Sequence, residues 1–171
     1  MDRVKIVDTK LQFAQPLSRR ARTEKAIAHH FGPLPAGRDP AKIDADYVND
    51  LHMRDKGWAG VGYHFIIRLD GTIEEGRPEW AMGAHDGGEN ANSLGILVVG
   101  DFRAQYPRPQ QVLSLIRLYA DLCQRYSWPA LERLEGHRDN EPPETPTECP
   151  GQNLYEILPL VRRTVWEMVR L

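Results

Sequence analysis

His137 and Cys149 stand twelve positions apart, at the two ends of a loop rich in proline and polar residues. Proline lacks an amide donor and restricts the residue before it, so residues 140–146 are not expected to form a helix or a strand. A stiff segment of this kind holds its two ends at a fixed separation. An imidazole and a thiol held in this way could bind one metal ion, which is the first chemistry that the sequence suggests.

A third ligand is available from His29 or His30, which end an apolar run predicted to be a strand. Two imidazoles and one thiolate suit zinc and leave a fourth position for water, as in catalytic zinc sites. Copper can take two histidines and a cysteine with a weak methionine, but no histidine follows Cys149 and the next methionine is Met168. The alternative interpretation of Cys149 is a thiol buried under the loop. The spacing therefore favours zinc and identifies no substrate.

Apolar patterning predicts strands and helices that alternate along the chain. Strands are predicted at residues 26–31, 63–68, 72–75, 94–99 and 131–135, the last of which delivers His137. Helices are predicted from a capping Asp39 to Gly57, from Pro109 to about Tyr126, and from Pro159 onward. The apolar stripe of the last helix is expected to contain Leu160, Val161, Val165 and Met168. This alternation predicts an α/β fold with a central mixed β-sheet flanked by helices in a single domain.

The composition limits the classes of function. The chain has 171 residues, of which 41% are hydrophobic, and this suggests one domain with a sizeable core. A net charge of −2 lacks the basic bias of nucleic-acid-binding proteins. Two cysteines do not make a disulfide framework. No stretch could span a membrane and the N-terminus lacks the apolar run of a signal peptide, so the chain is expected to be made in the cytoplasm.

The first part of the chain is assigned separately from the rest. Residues 1–25 are predicted to be an N-terminal arm that packs on the domain formed by residues 26–171. The arm contains a basic run, Arg19-Arg20-Ala21-Arg22, which is expected to be solvated surface as most such runs are.

Four blocks of sequence occur in a characteristic order. They are Ile27-Ala28-His29-His30; Gly57-Trp58 with Val61-Gly62-Tyr63-His64-Phe65; Gly83-Ala84-His85 through Asn92-Ser93-Leu94-Gly95-Ile96; and Gly136-His137-Arg138-Asp139 with Thr147-Glu148-Cys149-Pro150-Gly151. Together they resemble the zinc-dependent N-acetylmuramoyl-L-alanine amidases of the type 2 family, which includes phage lysozyme-type amidases and peptidoglycan recognition proteins. Each block is weak alone, and the combination is specific. The resemblance implies a peptidoglycan-recognition-protein-like amidase fold, with residues 26–171 as the amidase domain.

The resemblance also implies a ligand set for the metal. One Zn²⁺ per chain would be held by His29, His137 and Cys149. In the family's pair of histidines the first member is the ligand, so His30 would be a neighbour. The alternation of side chains along a strand agrees with the choice of only one of the two.

Two further residues would take part in catalysis. The resemblance gives Tyr63 a catalytic role, although this residue could also be a core aromatic side chain. Thr147 occupies the position where phage members carry a lysine and many recognition proteins a threonine. A hydroxyl cannot supply the positive charge of a lysine, so Thr147 can only donate or accept hydrogen bonds.

Four residues are predicted to bind the substrate. His85 and Asn90 stand where the family lines its groove for the muramyl peptide. Trp58 is either a wall of this groove or the edge of the core. His64 is included in the groove, although its side chain points away from that of Tyr63 if the two share a strand, which would place it in the core.

The implied function is zinc-dependent hydrolysis of the amide bond between N-acetylmuramic acid and L-alanine in peptidoglycan. The alternative is a non-catalytic module that binds peptidoglycan, but relatives without the metal commonly lack the cysteine, and Cys149 is present. The expected partner is peptidoglycan or a muropeptide, with no nucleic acid and no membrane, and a monomer is expected. A phage-type endolysin that reaches the cell wall after release is favoured over a cytoplasmic enzyme that acts on recycled wall fragments.

Overall fold

A five-stranded sheet forms the centre of the part of the chain that the computed structural model describes, residues 3–169. The strands are β1 (Lys25–His30), β2 (Phe65–Ile67), β3 (Ile73–Glu75), β4 (Ser93–Val98) and β5 (Leu134–Gly136). Their order across the sheet is β3-β2-β4-β1-β5. Neighbouring strands are parallel except β2 and β3, which form an antiparallel hairpin. The prediction of an α/β domain with a central mixed sheet is therefore confirmed.

Helices cover both faces of this sheet. They are α1 (Ala45–Lys56), α2 (Pro109–Tyr126), α3 (Gln152–Tyr155) and α4 (Leu158–Val169). One face of the sheet, with Ala28 and Ile96, forms the main core with α2 and α4. The other face, with Ile66 and Leu97, forms a smaller core with α1. Because side chains alternate between faces, neighbouring residues of one strand enter different environments.

The first predicted helix is two helices. Asp39 caps a short 3-10 helix, Pro40–Lys42, by accepting a hydrogen bond from the amide of Ala41. The chain then becomes extended at Ile43, and Asp44 caps α1 by accepting from the amide of Tyr47. A second capping aspartate thus restarts the helix five residues later than predicted. Gly57 ends α1 with a positive φ of 66°, as predicted.

The closing helix α4 begins one residue before Pro159, and its buried stripe differs from the prediction. Leu158, Val161 and Val165 are buried, whereas Leu160 is 59% exposed. The spacing 158, 161, 165 follows one face of a helix, and position 160 lies off that face. Each fully buried leucine or valine of this kind contributes roughly 1.5–3 kcal/mol to the stability. Within residues 3–169, no helix combines the length and the apolar character needed to cross a membrane.

The segment before β1 lies along the domain. The amide of Val7 donates to the carbonyl of Ile73, and that of Ala14 donates to the carbonyl of Ala59. Arg20 is only 9% exposed and its guanidinium hydrogen-bonds to Thr23 and to the carbonyl of Ser93, so the expectation that the whole basic run is solvated is wrong at this position. The division of the chain into an arm, residues 1–25, and a domain, residues 26–171, stays a prediction. Residues 1–2 of the arm and 170–171 of the domain lie outside the described residues.

Candidate metal centre and active site

Two histidines meet where β1 and β5 end. These strands are parallel neighbours, with Ala28 opposite Gly136. The carboxyl ends of parallel strands lie at one edge of the sheet, which is the usual position of ligand sites in open α/β sheets. His29 is the penultimate residue of β1 and His137 follows β5 directly. The centroids of their rings are consequently 4.5 Å apart.

The proline-rich loop brings Cys149 beside these rings. The Cys149 carbonyl accepts a hydrogen bond from the amide of Arg138 at 2.9 Å, which ties the end of the loop to its beginning. Cys149 Sγ lies 3.7 Å from His29 Nδ1. One ligand atom from each of His29, His137 and Cys149 lies within 4.8 Å of the other two. Zinc bonds of about 2.0–2.3 Å place neighbouring ligand atoms roughly 3.3–3.8 Å apart, so the contact between His29 and Cys149 already has the spacing of a zinc site.

His30 lies on the opposite face of β1. Its Nδ1 accepts a hydrogen bond from the amide of Phe102 at 3.3 Å and lies 3.8 Å from a carboxylate oxygen of Asp101. Burial lowers the pKa of His30 to about 4. Its environment is therefore separate from that of His29, and the structure groups only His29 with His137 and Cys149.

The protonation states of the grouped residues suit a cation. Burial lowers the pKa of His29 well below its usual value, and the nearby His137 and His30 lower it further, so its imidazole is neutral at pH 7. Burial raises the pKa of the Cys149 thiol to about 12. A cation that binds there displaces the thiol proton, since the thiolate is the form that binds metals. Two histidines and one cysteine fit zinc.

Each of the two grouped histidines contacts a further side chain through its Nε2 atom. His29 Nε2 lies 3.0 Å from His85 Nδ1, and His137 Nε2 lies 2.9 Å from Glu141 Oε1. These contacts leave Nδ1 of each ring for a metal, and His29 Nδ1 is indeed the atom that faces Cys149. Neither contact was predicted. The one sequence signal for Glu141 is its position four residues after His137, a spacing that brings side chains together in a helical turn.

Tyr63 lies against the grouped histidines just before β2. Its ring centroid is 5.1 Å from that of His29. The amide of Gly62, the preceding residue, donates to His52 Nδ1 at 3.0 Å, which fixes the backbone at this point. Burial raises the pKa of Tyr63, and the charge of a Cys149 thiolate raises it further, so the phenol remains protonated. Within residues 3–169 its hydroxyl makes no hydrogen bond, and it is free to donate to a ligand.

Thr147 precedes the candidate metal ligand Cys149 by two residues. Its Oγ1 accepts a hydrogen bond from the amide of Cys149 at 3.1 Å. A hydroxyl that accepts in this way keeps its own proton for donation. Thr147 therefore shapes the loop at Cys149 and can also donate to a ligand.

Two clefts open at these catalytic candidates. The first, of about 380 Å³, lies beside Tyr63 and is lined by His52, by apolar residues of α1 and of the loop after β1, and by the charged residues Asp55 and Lys56 at the end of α1. Trp58 is 39% exposed and packs against His52, with ring centroids 4.9 Å apart. The second, of about 270 Å³, lies beside Thr147 and is lined by polar side chains, which are those of Arg103, Arg138, Glu148 and Gln152. Trp58 thus contacts a residue that lines the first cleft without lining it itself, and its role as a groove wall stays a prediction.

The structure corrects the prediction that His64 binds the substrate. Its side chain is fully buried, and its Nδ1 accepts from the amide of Gly95 at 3.0 Å. Its Nε2 lies 3.0 Å from the carbonyl of Ala81 and 3.2 Å from Arg20. Both ring nitrogens are used inside the core, so none faces a groove. The alternative interpretation of His64, a core side chain, describes its position.

His85 and Asn90 shape the loop beside the site. His85 is 8% exposed, with Nδ1 directed at His29 and Nε2 buried, so it does not line an open groove and the structure corrects this prediction. Asn90 Oδ1 accepts from the amides of His85 and Asp86 at 2.8 and 3.0 Å, which curls the loop around His85. Asn90 is partly exposed, and contact with a substrate stays a prediction for this residue.

Two glycines make room for the His85 ring. A Cβ atom on Gly95 would lie 2.6 Å from His85 Cδ2, and one on Gly83 would lie 2.5 Å from the same atom. The buried ring cannot retreat from either side. We expect Gly95→Ala to displace His85 from His29 and to weaken zinc binding about 10–100-fold, the usual effect of losing a group that orients a metal ligand. Zinc titration against a chromophoric chelator measures this loss.

Gly87→Ala is the matched control, because the position lies in the same loop and a Cβ there meets nothing within 4 Å. The control should bind zinc as the unmodified chain does. Wild-type zinc affinity in a folded Gly95→Ala protein would show that the position of His85 does not matter for the site.

A larger cavity, of about 740 Å³, lies away from these residues. It is bounded by the N-terminal arm and by α2, and its lining includes Val4, Val7, Arg117 and Met168. No histidine, cysteine or carboxylate lines it. Size alone would select this cavity, but the groups able to bind a metal lie at the carboxyl edge of the sheet.

Known proteins match this chain over most of its length. The family described as N-acetylmuramoyl-L-alanine amidase matches residues 19–152. The endolysin of Escherichia phage T7 is 39% identical over 151 residues, which cover 85% of this chain and 89% of that protein. The structure of the N-acetylmuramoyl-L-alanine amidase LysC from Clostridium intestinale URNW is similar with a TM-score of 0.78 and 34% identity, covering 98% of this chain and 99% of that one. A mutant of Drosophila PGRP-LB in complex with tracheal cytotoxin has a TM-score of 0.75 and 27% identity, with 89% and 92% covered.

Proposed function

This chain belongs to the N-acetylmuramoyl-L-alanine amidase family, and we propose that it hydrolyses peptidoglycan with one zinc ion held by His29, His137 and Cys149. The bond cut is the amide between the lactyl group of N-acetylmuramic acid and the first L-alanine of the stem peptide. The observation that carries the zinc proposal is the convergence of these three donors, from distant parts of the sequence, within 4.8 Å of one another.

The side chains around this site divide the chemistry between them. When bound, zinc lowers the pKa of a bound water from about 15.7 to about 7 and polarises the amide carbonyl. One thiolate and two neutral imidazoles leave the centre with a formal charge of +1, which favours negative charge on the carbonyl oxygen. Tyr63 and Thr147 donate hydrogen bonds to that oxygen, because neither hydroxyl donates to another group within residues 3–169. One such donor typically contributes about 10²–10³ in rate.

The two clefts provide surfaces for the substrate on either side of the reacting bond. The cleft beside Tyr63 combines apolar residues with Asp55 and Lys56. The cleft beside Thr147 carries Arg103, which pairs with Asp101 and Glu148, and Arg138, whose side chain forms no ion pair among the described residues and suits a carboxylate of a stem peptide. The related Drosophila PGRP-LB structure contains tracheal cytotoxin, which supports a muropeptide as the ligand of this fold.

The chain acts on the cell wall, as an endolysin of the phage type would after its release. The similarity to the endolysin of Escherichia phage T7 over 85% of this chain supports this setting. The candidate zinc ligands and both hydroxyl donors come from one chain, so a monomer contains the complete site.

Mass spectrometry of peptidoglycan after digestion tests this function. Purified wall is incubated with the zinc-loaded protein, and a chelator-treated sample is run alongside. Cleavage at the predicted bond gives intact stem peptides with new free L-alanine amino termini, and these products disappear after chelation because the reaction needs the metal.

The other outcomes separate the parts of the proposal. The same products in the chelated sample, with its metal content shown to be removed, would contradict the zinc dependence. Wall that is bound but not cut would contradict the amidase activity and support a non-catalytic recognition module.

A further inference from the structure

Glu141 contacts Nε2 of His137, and no role in the site has yet been assigned to it. Glu141 Oε1 lies 2.9 Å from His137 Nε2, in the middle of the hydrogen-bond range. Both side chains are largely enclosed, with 18% of His137 and 22% of Glu141 exposed. Glu141 belongs to the proline-rich loop that also delivers Cys149, so one loop supplies both a metal ligand and a contact to another.

We propose that Glu141 is a positioning residue for the zinc centre, which accepts a hydrogen bond from His137 Nε2 and so directs His137 Nδ1 at the metal. The proposal rests on the proposed zinc site. A carboxylate in this position fixes the tautomer of a histidine ligand, holds the ring in one orientation and makes the coordinating nitrogen more basic. The negative charge of Glu141 also offsets part of the formal +1 of the centre.

The two imidazoles of the site are supported in different ways. His29 contacts a second imidazole, that of His85, at 3.0 Å. His137 contacts a carboxylate. Since a charged acceptor forms the stronger hydrogen bond, His137 is the ligand whose orientation depends most on its partner.

A second carboxylate, that of Asp86, stands near the same ring. Oxygen atoms of Asp86 and Glu141 and a ring nitrogen of His137 lie within 4.8 Å of one another. Asp86 Oδ2 is buried without a hydrogen-bond partner among the described residues. Glu141, in contrast, makes the direct contact with His137 Nε2 at 2.9 Å. Glu141 is therefore the group that we assign to His137.

Zinc affinity in four variants tests the assignment, with competition against a chromophoric chelator as the measurement. Glu141→Gln keeps the size of the side chain and an acceptor oxygen but removes the charge, and Glu141→Ala removes the contact. We expect zinc binding to weaken about 10-fold in the first and up to about 100-fold in the second, as for other groups that orient metal ligands. Glu144→Gln makes the same change of charge at an exposed position of the same loop and should leave the affinity unchanged.

The fourth variant, Thr145→Ala, separates positioning from support of the loop. Thr145 Oγ1 donates to Glu141 Oε2 at 3.3 Å, so a role of Glu141 in loop folding alone would be weakened equally by this variant. We expect Thr145→Ala to bind zinc as the unmodified chain does. The visible spectrum of the cobalt-substituted protein should change in Glu141→Ala and remain unchanged in Thr145→Ala, because only the first alters the geometry of a ligand.

The outcomes distinguish this inference from the function on which it rests. If the unmodified chain binds no zinc, the zinc proposal itself fails. If the unmodified chain binds zinc and Glu141→Ala binds it within twofold, the role of Glu141 is refuted while the zinc site stands. Equal loss in Glu141→Ala and Thr145→Ala would also refute positioning, in favour of loop support.

Discussion

Cys149→Ser abolishes zinc binding and amidase activity together. A serine hydroxyl is a far poorer ligand than a thiolate, and two histidines alone do not make the usual three-ligand set of a catalytic zinc site. The fold should persist, because Cys149 is in a loop at the carboxyl edge of the sheet and takes no part in the main core. Metal content by elemental analysis and release of free L-alanine amino termini from peptidoglycan measure the two losses.

Cys123→Ser is the matched control for this result. Cys123 is 3% exposed in the core face of α2, and burial raises the pKa of its thiol to about 11, so it has the character of a small packed side chain. Its replacement should cost some stability, since a hydroxyl is buried in an apolar site, but should keep the zinc. Retention of one zinc per chain and of full activity in Cys149→Ser would contradict the ligand assignment.

Tyr63→Phe keeps the zinc and the fold but lowers the rate of cleavage about 10²–10³-fold, the usual effect of removing one donor to a developing oxyanion. The ring, and with it the contact to His29, is retained. The loss should appear in kcat as well as in kcat/KM, because the hydrogen bond forms as charge develops on the carbonyl oxygen. Steady-state kinetics on a soluble muropeptide, at equal metal content, give this comparison.

Tyr106→Phe provides the control. It makes the same chemical change as Tyr63→Phe, but at a residue that is 64% exposed. Its rate should equal that of the unmodified protein. An unchanged rate in Tyr63→Phe would remove this residue from the mechanism and leave Thr147 as the remaining assigned donor.

Sequence rules that consider only neighbouring residues predicted helices and strands well where a single sequence signal dominates. Helix α2 runs from Pro109 to Tyr126 as predicted, because proline marks its first turn and a continuous apolar stripe follows. The meeting of His29 and His137 was implied by the family resemblance and not by the strand pattern, because it depends on β1 and β5 being neighbours and the strand order could not be predicted. The period of a strand places the side chains of His29 and His30 on opposite faces, as the structure shows, whereas the choice of His29 as the ligand came from the family resemblance.

The depth at which a side chain is buried, and the side chains that it contacts, could not be predicted in the same way. Alternation along the predicted strand 63–68 suggests that His64 and Tyr63 point in different directions, but the depth at which each ring is buried depends on the packing of β4 and of the N-terminal segment. His85 follows the same logic, since the space for its ring is created by Gly83 and Gly95, which are 12 positions apart in the sequence. Glu141 stands four residues after His137, but this spacing predicts a contact only within a helical turn, and the proline-rich sequence of residues 140–146 argued against a helix there.

The order and length of the strands limit self-association of the protein through the margins of its sheet. The two outer strands of the sheet, β3 and β5, have only three residues each. Val7 of the N-terminal arm pairs with β3 by donating to Ile73 and accepting from Glu75, so this margin already has a backbone partner. Short or covered margins offer little unpaired backbone to another molecule. The arm thus covers the β3 margin, and the short β5 margin offers little backbone through which a second copy could extend the sheet.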